Sequence, residues 1–224
     1  MNKLNRLGAS AAFLCALCYV IGLITLLFIA PDLNQIPEGR LRVIDTYGNL
    51  LYLWYFIVFA LVGICVLFVN NALQQTHDKL PSALALITTL TAYLSASYLF
   101  VICSIEIMSN VFFLAEHHHG VTKRSELTSQ IYTVLLSLRN YTEWTLDVWF
   151  ILISTLLFRA RKIRKSLSVF GVCLGVFGIL ILHPSIQPFA LYYVAAVPVW
   201  FSLIGVYLWH IRESSNQRGE AKEP

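Results

Sequence analysis

Charged residues are scarce in this sequence. Asp, Glu, Lys and Arg make up 12% of its 224 residues, against about 25% in a typical soluble protein. Because 58% of the residues are hydrophobic, too few polar side chains are present to cover the apolar surface that the chain would expose to water. The composition therefore excludes an ordinary soluble domain and indicates lipid as the medium around most of the chain.

The motifs of several enzyme classes are also missing. The sequence contains no glycine-rich phosphate-binding loop, no His-Glu-x-x-His zinc motif and no Gly-x-Ser-x-Gly nucleophile elbow. No pair of histidines has the mid-membrane spacing of a b-type haem site, and no long basic surface is present for nucleic acid. We therefore expect no cofactor and no nucleic-acid partner, and an enzyme is the less favoured class of function.

Cysteines are few and lie in apolar runs rather than in loops, which argues against a disulfide framework. Cys15 and Cys18 form a Cys-x-x-Cys pair, yet their segment lacks the neighbouring cations that activate a redox pair. We expect small, buried hydrophobic side chains at Cys15, Cys18, Cys65, Cys103 and Cys173.

Long apolar runs dominate the chain instead. Their continuous apolarity predicts helices, because barrel strands would alternate polar and apolar residues. The first run is too long for a typical cleaved signal sequence and is followed by Pro31, so we expect it to be retained. The sequence predicts an all-α, polytopic membrane helical bundle in residues 1–211, with about six transmembrane helices at residues 7–30, 48–69, 82–106, 134–158, 167–183 and 189–210.

The distribution of Lys and Arg predicts the orientation of these helices. An even number of spans places both termini on one side, and that side carries eleven of these residues, against four in the loops of the other side. Because cationic residues resist translocation, we expect both termini in the cytoplasm and the outer loops at residues 31–47, 116–133 and 184–187. The charged residues 212–224 are predicted to form a disordered cytoplasmic tail.

Two further patterns concern partners. A basic loop between the fourth and fifth spans serves either as a topology determinant or as a binding surface for anionic lipid. Its basic residues are Arg159, Arg161, Lys162, Arg164 and Lys165. Small residues on one face predict close helix packing within the chain, with a homo-oligomer contact as the alternative. These are Gly8, Ala12 and Ala16 in the first span and Gly171, Gly175 and Gly178 in the fifth.

The clearest candidate site lies on the fourth span. Arg139, Glu143 and Asp147 are spaced by four residues and therefore share one helical face. At ~1.5 Å per residue, Asp147 lies about 18 Å from Arg159 and thus near the midplane, whereas Arg139 lies at the outer interface. Glu106 is predicted at the same level as Arg139, so these two can pair, and Arg139 can alternatively pair with Glu143.

This charged group has a structural and a functional interpretation. A carboxylate in the bilayer centre costs ~2.5–3.5 kcal/mol on insertion scales, so Asp147 should face the bundle interior. The group either holds two helices together as a buried polar contact, or it binds a ligand or handles a proton. An observed pocket at these residues would distinguish the two.

Histidines next to the third span form a second, metal-binding candidate. Imidazole and carboxylate groups bind zinc or copper, but adjacent residues cannot all reach one ion. A site would need help from elsewhere, and otherwise these residues form a solvated polar helix end. The candidate ligands are Glu116, His117, His118, His119 and His183.

Residues 138–180 resemble a family of bacterial six-helix membrane proteins known only as a domain of unknown function. The resemblance rests on the stretch LRNYTEWTLDVWFILISTLLFRARKIRKSLSVFGVCLGVFGIL, in which a Trp after an acidic or polar residue opens a span, a short basic loop follows and a glycine-rich helix comes next. It covers about a fifth of the chain. The family has an arginine and a glutamate in the third helix, where this chain has Glu106 without the arginine. The resemblance implies a bacterial inner membrane and no particular activity.

Together these patterns favour a multi-pass inner-membrane protein without enzymatic activity, acting as an accessory, sensory or small-ligand-binding bundle. A small transporter or proton-coupled carrier that uses Asp147 and Glu143 is the first alternative. A metal- or quinone-linked membrane enzyme is the second. The lipid bilayer is the one partner that the composition itself implies.

Overall fold

The fold comes from a computed structural model that describes residues 2–34, 37–75, 82–118, 134, 144–160 and 163–220. All regular structure in this described part of the chain is helical. The prediction of an all-helical protein is therefore confirmed.

Eight α-helices are described. Short π-helical segments continue α1 and join α3 to α4, and short 3-10 turns precede α2 and α8. The elements are α1 (Asn2–Ile24, then π-helical Thr25–Ile29), a turn (Pro31–Asn34), α2 (Pro37–Tyr47), α3 (Asn49–Tyr55), the π-helical segment (Phe56–Leu61), α4 (Val62–Gln75), α5 (Ser82–His118), α6 (Trp144–Arg159), α7 (Lys165–Ile181), a turn (Gln187–Phe189) and α8 (Ala190–Glu220).

Within the described residues, four stretches of helix are long and apolar enough to cross a membrane, namely Leu4–Ile29, Asn49–Gln75, Ala83–Val111 and Gln187–His210. The apolar α7 is shorter, with 17 residues, and the described α6 has 16. Each of the six sequence-predicted spans therefore has a helix at its position. Large apolar side chains such as Phe28, Met108 and Tyr192 are exposed on the surface of the bundle, as expected where lipid replaces water.

The predicted loop at residues 31–47 contains a helix instead. In α2, Arg40, Val43, Ile44 and Tyr47 follow the i, i+3, i+4, i+7 spacing of an amphipathic helix. The first three of these side chains are buried and Tyr47 is half-buried. Packing of this face against α5 and α3 makes the helix part of the bundle.

The other end of the chain also differs from the prediction. Helix α8 continues to Glu220, through most of the segment for which the sequence predicts a disordered tail, and residues 221–224 lie outside the described part. The backbone hydrogen bonds of the apolar span extend into this polar segment without a proline to stop them.

Small residues bring the helices into close contact within the chain, as predicted. A Cβ on Gly8 of α1 would overlap Ala72 of α4, and Ala12 and Ala16 are buried on the same helix. On α7, Gly171 and Gly175 lie directly against α6. Without a Cβ, the two backbones approach closely enough for dispersion contacts to hold the pair together.

The cysteine prediction holds for four residues and is wrong for the fifth. All five thiols are free, and Cys15, Cys18, Cys65 and Cys103 are buried. Cys173 is exposed because it lies on the face of α7 opposite the glycine contacts with α6.

An aromatic cluster fills the interior between α6 and α8. Trp149 and Phe150 of α6 pack against Trp200 and Phe201 of α8, with ring centroids 4.8–6.3 Å apart. The Trp149 indole also donates a hydrogen bond to Asn70 of α4 over 3.1 Å. These four side chains are almost completely buried and seal this part of the bundle.

Candidate functional site

A cavity of about 340 Å³ lies between the helices, in the part of the bundle near α2. Helices α1, α3, α5, α6, α7 and α8 and the π-helical segment Phe56–Leu61 all contribute to its wall. Small-molecule sites typically have ~300–1,000 Å³ and a mostly apolar lining. The cavity therefore has the size of a site for a small molecule, and the π-helical segment in its wall is an irregularity often found at functional sites.

Asp147 lies in the wall of this cavity. Asp147 lies in the first turn of α6. Only 2% of its surface is exposed. The Tyr193 hydroxyl of α8 donates a hydrogen bond to Asp147 Oδ1. Gly178 of α7 faces the carboxylate, and a Cβ there would overlap it. Three helices thus combine to place one carboxyl group in the cavity wall.

Several other polar groups line the cavity. Ser95 of α5 donates its hydroxyl to the Thr91 carbonyl over 2.8 Å, while Tyr19, Tyr98 and Thr145 add hydroxyls and Gln187 an amide to the lining. Trp54, only 6% exposed, also lines the cavity. Among the residues that the structure describes, none accepts a hydrogen bond from its indole Nε1–H. A buried indole nitrogen usually has a partner.

A second buried polar cluster joins α2 to α5. Arg40 Nη2 forms an ion pair with Glu106 Oε2 and lies 2.8 Å from Asn110 Oδ1, 3.1 Å from Ser109 Oγ and 3.4 Å from the Tyr55 hydroxyl. The Arg40 and Glu106 side chains are 5% and 7% exposed. Such burial requires the close pairing and the additional hydrogen bonds that the cluster provides.

This Arg40–Glu106 cluster adjoins the cavity. Ile102 lines the cavity, and Glu106 follows it one turn later on α5. Trp54 also lines the cavity, and the next residue, Tyr55, contacts Arg40. The rings of Trp54 and Tyr55 pack edge to face with centroids 5.1 Å apart. The ion pair therefore anchors α2 close to one wall of the cavity.

Of the four predicted site residues, two are buried in separate clusters and two lie outside the described residues. Asp147 and Glu106 are both buried but belong to separate clusters. Glu106 pairs with Arg40, a partner that the sequence did not suggest, whereas the sequence allowed a pair between Glu106 and Arg139 as one of two alternatives. Arg139 and Glu143 lie outside the described residues.

The metal prediction falls largely outside the described part. His119 is not described, nor are the side chains of Glu116, His117 and His118 in the last turn of α5. His183 is exposed in the turn after α7, where its Nδ1 accepts a hydrogen bond from the Ser185 amide over 3.3 Å. Within the described residues, no three His, Cys, Asp or Glu side chains are grouped as metal ligands.

The basic loop lies between α6 and α7. Arg159, Arg164 and Lys165 are exposed, and residues 161–162 lie outside the described part. Exposed cations at helix ends are compatible with both predicted roles of this loop, as a topology determinant and as a binding surface for anionic lipid.

Sequence reasoning missed Arg40, Trp54 and Tyr193. The amphipathic spacing around Arg40 was available as a signal but was hidden by its position in a presumed loop. Trp54 and Tyr193 lie in apolar runs, where aromatic residues are common and carry no special pattern.

Comparison of the chain with protein families, with curated proteins and with solved structures finds no match. The resemblance of residues 138–180 to a bacterial membrane family therefore stays a prediction.

Proposed function

We propose that this chain is a non-enzymatic, six-span membrane protein whose cavity binds a small, largely apolar molecule beside Asp147 and Tyr193. The observation that carries the proposal is the position of Asp147 in the wall of a cavity of about 340 Å³. A carboxylate that served only to join helices would need partners but no adjacent space. Here the acidic group, its tyrosine partner and a cavity of ligand size occur together.

The proposal includes the membrane and the orientation. Six helices at the predicted positions, and the excess of Lys and Arg at one end, support a bundle with both termini in the cytoplasm. The family resemblance supports a bacterial inner membrane. In this orientation, α2 and the cavity lie in the outer half of the bundle.

Labelling of single cysteines in a cysteine-free chain tests this orientation. Arg42, with a 77% exposed side chain on α2, is expected to react as Arg42→Cys with an impermeant maleimide on intact bacterial cells. Exposed Arg164 is expected to react as Arg164→Cys only after the inner membrane is opened. The reverse order of labelling would contradict the proposed topology.

Binding of a matched set of rigid probes tests the site. Adamantane, 1-adamantanol, 2-adamantanone and 1-adamantanamine share one apolar cage, and their affinities for the protein in lipid nanodiscs are measured by calorimetry or thermal stabilisation. We expect at least one polar probe to bind, and Asp147→Asn and Tyr193→Phe to weaken it about tenfold, as loss of one buried hydrogen bond does.

Tyr192 provides the matched control. It neighbours Tyr193 in the sequence but is 69% exposed, so Tyr192→Phe should leave every affinity unchanged. If none of the probes binds, or if the variants at Tyr192 and Tyr193 behave alike, the cavity is not the proposed site.

A proton-coupled carrier using Asp147 and Glu143 is the second candidate, favoured by the presence of a buried acid in the cavity wall. A carrier also needs a path to the opposite face. The tightly packed aromatic cluster of Trp149, Phe150, Trp200 and Phe201 begins within one turn of Asp147 on α6 and about two turns beyond Tyr193 on α8. For this reason the binding function ranks first.

A further inference from the structure

A groove of about 380 Å³ lies between α4 and α5 and shares no lining residue with the cavity beside Asp147. Along α4, the residues that line it extend from Ile64 to Gln74, a distance of about 15 Å at ~1.5 Å per residue. On α5 the lining residues are Thr89 and Tyr93, one turn apart. This α4–α5 groove has no part in the function proposed above, so its residues are considered on their own.

The α4–α5 groove is apolar at one end and polar at the other. Side chains from Ile64 to Phe68 line the apolar end, and the amide side chains of Asn70, Asn71 and Gln74 line the polar end. Gln74 is the second-last residue of α4, and α4 ends at the cytoplasmic side in the proposed orientation. The polar end therefore lies near the cytoplasmic boundary of the membrane, and the apolar end lies toward the midplane. A lipid of the inner leaflet has its polar and apolar parts in the same order.

The polar end offers both donors and acceptors to a ligand. Asn71 Oδ1 accepts a hydrogen bond from Gln75 over 3.0 Å, which leaves the Asn71 N–H groups as donors. Gln74 donates to the Ala85 carbonyl over 3.1 Å, which leaves its amide oxygen as an acceptor. Thr89 donates to the same carbonyl over 3.0 Å and keeps the lone pairs of its hydroxyl. Asn71 is exposed, and Gln74 and Thr89 are half-buried, so a molecule in the bilayer can reach them.

The charge of the lining favours an uncharged ligand. All described residues that line the α4–α5 groove are uncharged. A phosphate group placed there would lose part of its hydration without a neighbouring cation, and an ammonium group would lack an anion, which is unfavourable in apolar surroundings. Hydroxyl and ester groups, by contrast, can exchange hydrogen bonds with amide and hydroxyl side chains.

The size of the groove selects the part of a lipid that it can hold. At roughly 30 Å³ for a water-sized group, about 380 Å³ holds roughly twelve non-hydrogen atoms. A glycerol unit with its ester groups and the first carbons of the acyl chains has this size. We infer that the α4–α5 groove binds an uncharged diacyl lipid of the inner leaflet. Its glycerol hydroxyl and ester oxygens contact Asn71, Gln74 and Thr89, and one acyl chain lies along Ile64 to Phe68.

Three lipids with identical octanoyl chains test this inference. They are dioctanoylglycerol, dioctanoylphosphatidylcholine and dioctanoylphosphatidic acid, and their affinities for the purified protein in detergent micelles are measured by thermal stabilisation. We expect dioctanoylglycerol to bind at least tenfold more tightly than either phospholipid, because a phosphate group has no cation to pair with among the described residues of the groove.

Two threonines of α5 provide a matched pair of variants. Thr89 and Thr91 each donate a hydrogen bond to the carbonyl one turn earlier, over 3.0 and 2.8 Å, but of the two it is Thr89 that lines the groove. Thr89→Val should weaken binding of dioctanoylglycerol about three- to tenfold, whereas Thr91→Val should change it less than twofold. Asn71→Leu, which replaces an exposed amide by an apolar side chain, should weaken it by a similar factor to Thr89→Val.

Tyr193→Phe separates the α4–α5 groove from the cavity, because it removes the hydroxyl that contacts Asp147. It should leave binding of dioctanoylglycerol unchanged, and Thr89→Val should leave binding of the adamantane probes unchanged, so the two sites succeed or fail separately. If Tyr193→Phe weakens the lipid and Thr89→Val does not, the lipid occupies the cavity and the groove is not its site. If dioctanoylphosphatidic acid binds most tightly, or if all three lipids bind alike, the assignment of an uncharged lipid is wrong.

Discussion

Replacing Glu106 by alanine is expected to lower the free energy of unfolding by about 3–5 kcal/mol. The reason is that Arg40 would remain in an interior position, with a 5% exposed side chain, but without its ion-pair partner. Asn110 and Ser109 would still contact the guanidinium, yet neither carries a compensating charge. Equilibrium unfolding of the purified protein in mixed micelles measures the effect, and protease digestion in the first outer loop reports release of α2.

A second ion pair of the same type on the surface provides the control. Arg42 Nη1 lies 4.0 Å from Asp32 Oδ2, with side chains 77% and 36% exposed, so Asp32→Ala should change stability by less than about 1 kcal/mol. Replacing Arg40 by Met together with Glu106→Ala should destabilise less than Glu106→Ala alone, because no buried charge is then left unpaired. Equal effects of Glu106→Ala and Asp32→Ala would show that the pair does not hold α2.

The Arg40–Glu106 pair also shows how far the sequence can be interpreted. The positions of the six apolar helices were predictable because each depends on a local property, the length of an apolar run. The partner of Glu106 was not predictable, since pairing is decided by which loops fold back onto the bundle. Counting Arg40 only as a loop charge separated it from the amphipathic pattern of Val43 and Ile44.

The cavity could not be predicted from the sequence either, because its wall is formed by helices that are distant from one another along the chain. Asp147 could be recognised as a candidate because a carboxylate in an apolar run is costly wherever it points. Its surroundings, however, depend on Tyr193 and Gly178, which come from helices distant in the sequence and have no marked local pattern. Trp54 likewise lines the cavity although the sequence around it carries no marked local pattern.

Substitution of Gly175 by alanine is expected to disrupt both the α6–α7 contact and the site. A Cβ at this position would overlap the backbone carbonyl oxygen of Asp147 and lie 2.7 Å from Ile151 Cγ1 and 3.1 Å from the Ile151 nitrogen. Two of these atoms belong to the backbone of α6 and cannot move without shifting the helix. We expect a loss of about 3 kcal/mol, at the upper end for overpacking, and at least tenfold weaker binding of the best probe, because Asp147 moves with its backbone.

Gly22 of α1 gives the matched comparison, since it also lies in a helix and lines the cavity. A Cβ there would meet Val58 Cγ2 at 3.4 Å, an ordinary contact, so Gly22→Ala should be tolerated or should stabilise by up to about 1 kcal/mol through helix propensity. The difference between the two variants isolates backbone overlap from the general effect of adding a methyl group. If Gly175→Ala unfolds like Gly22→Ala and binds probes like the wild type, α6 and α7 are not held together at this glycine, and the position of Asp147 depends on other contacts. If stability falls but binding is retained, the carboxyl group is positioned by Tyr193 rather than by the α6 backbone, because only the hydrogen bond from α8 would then survive the shift of the helix.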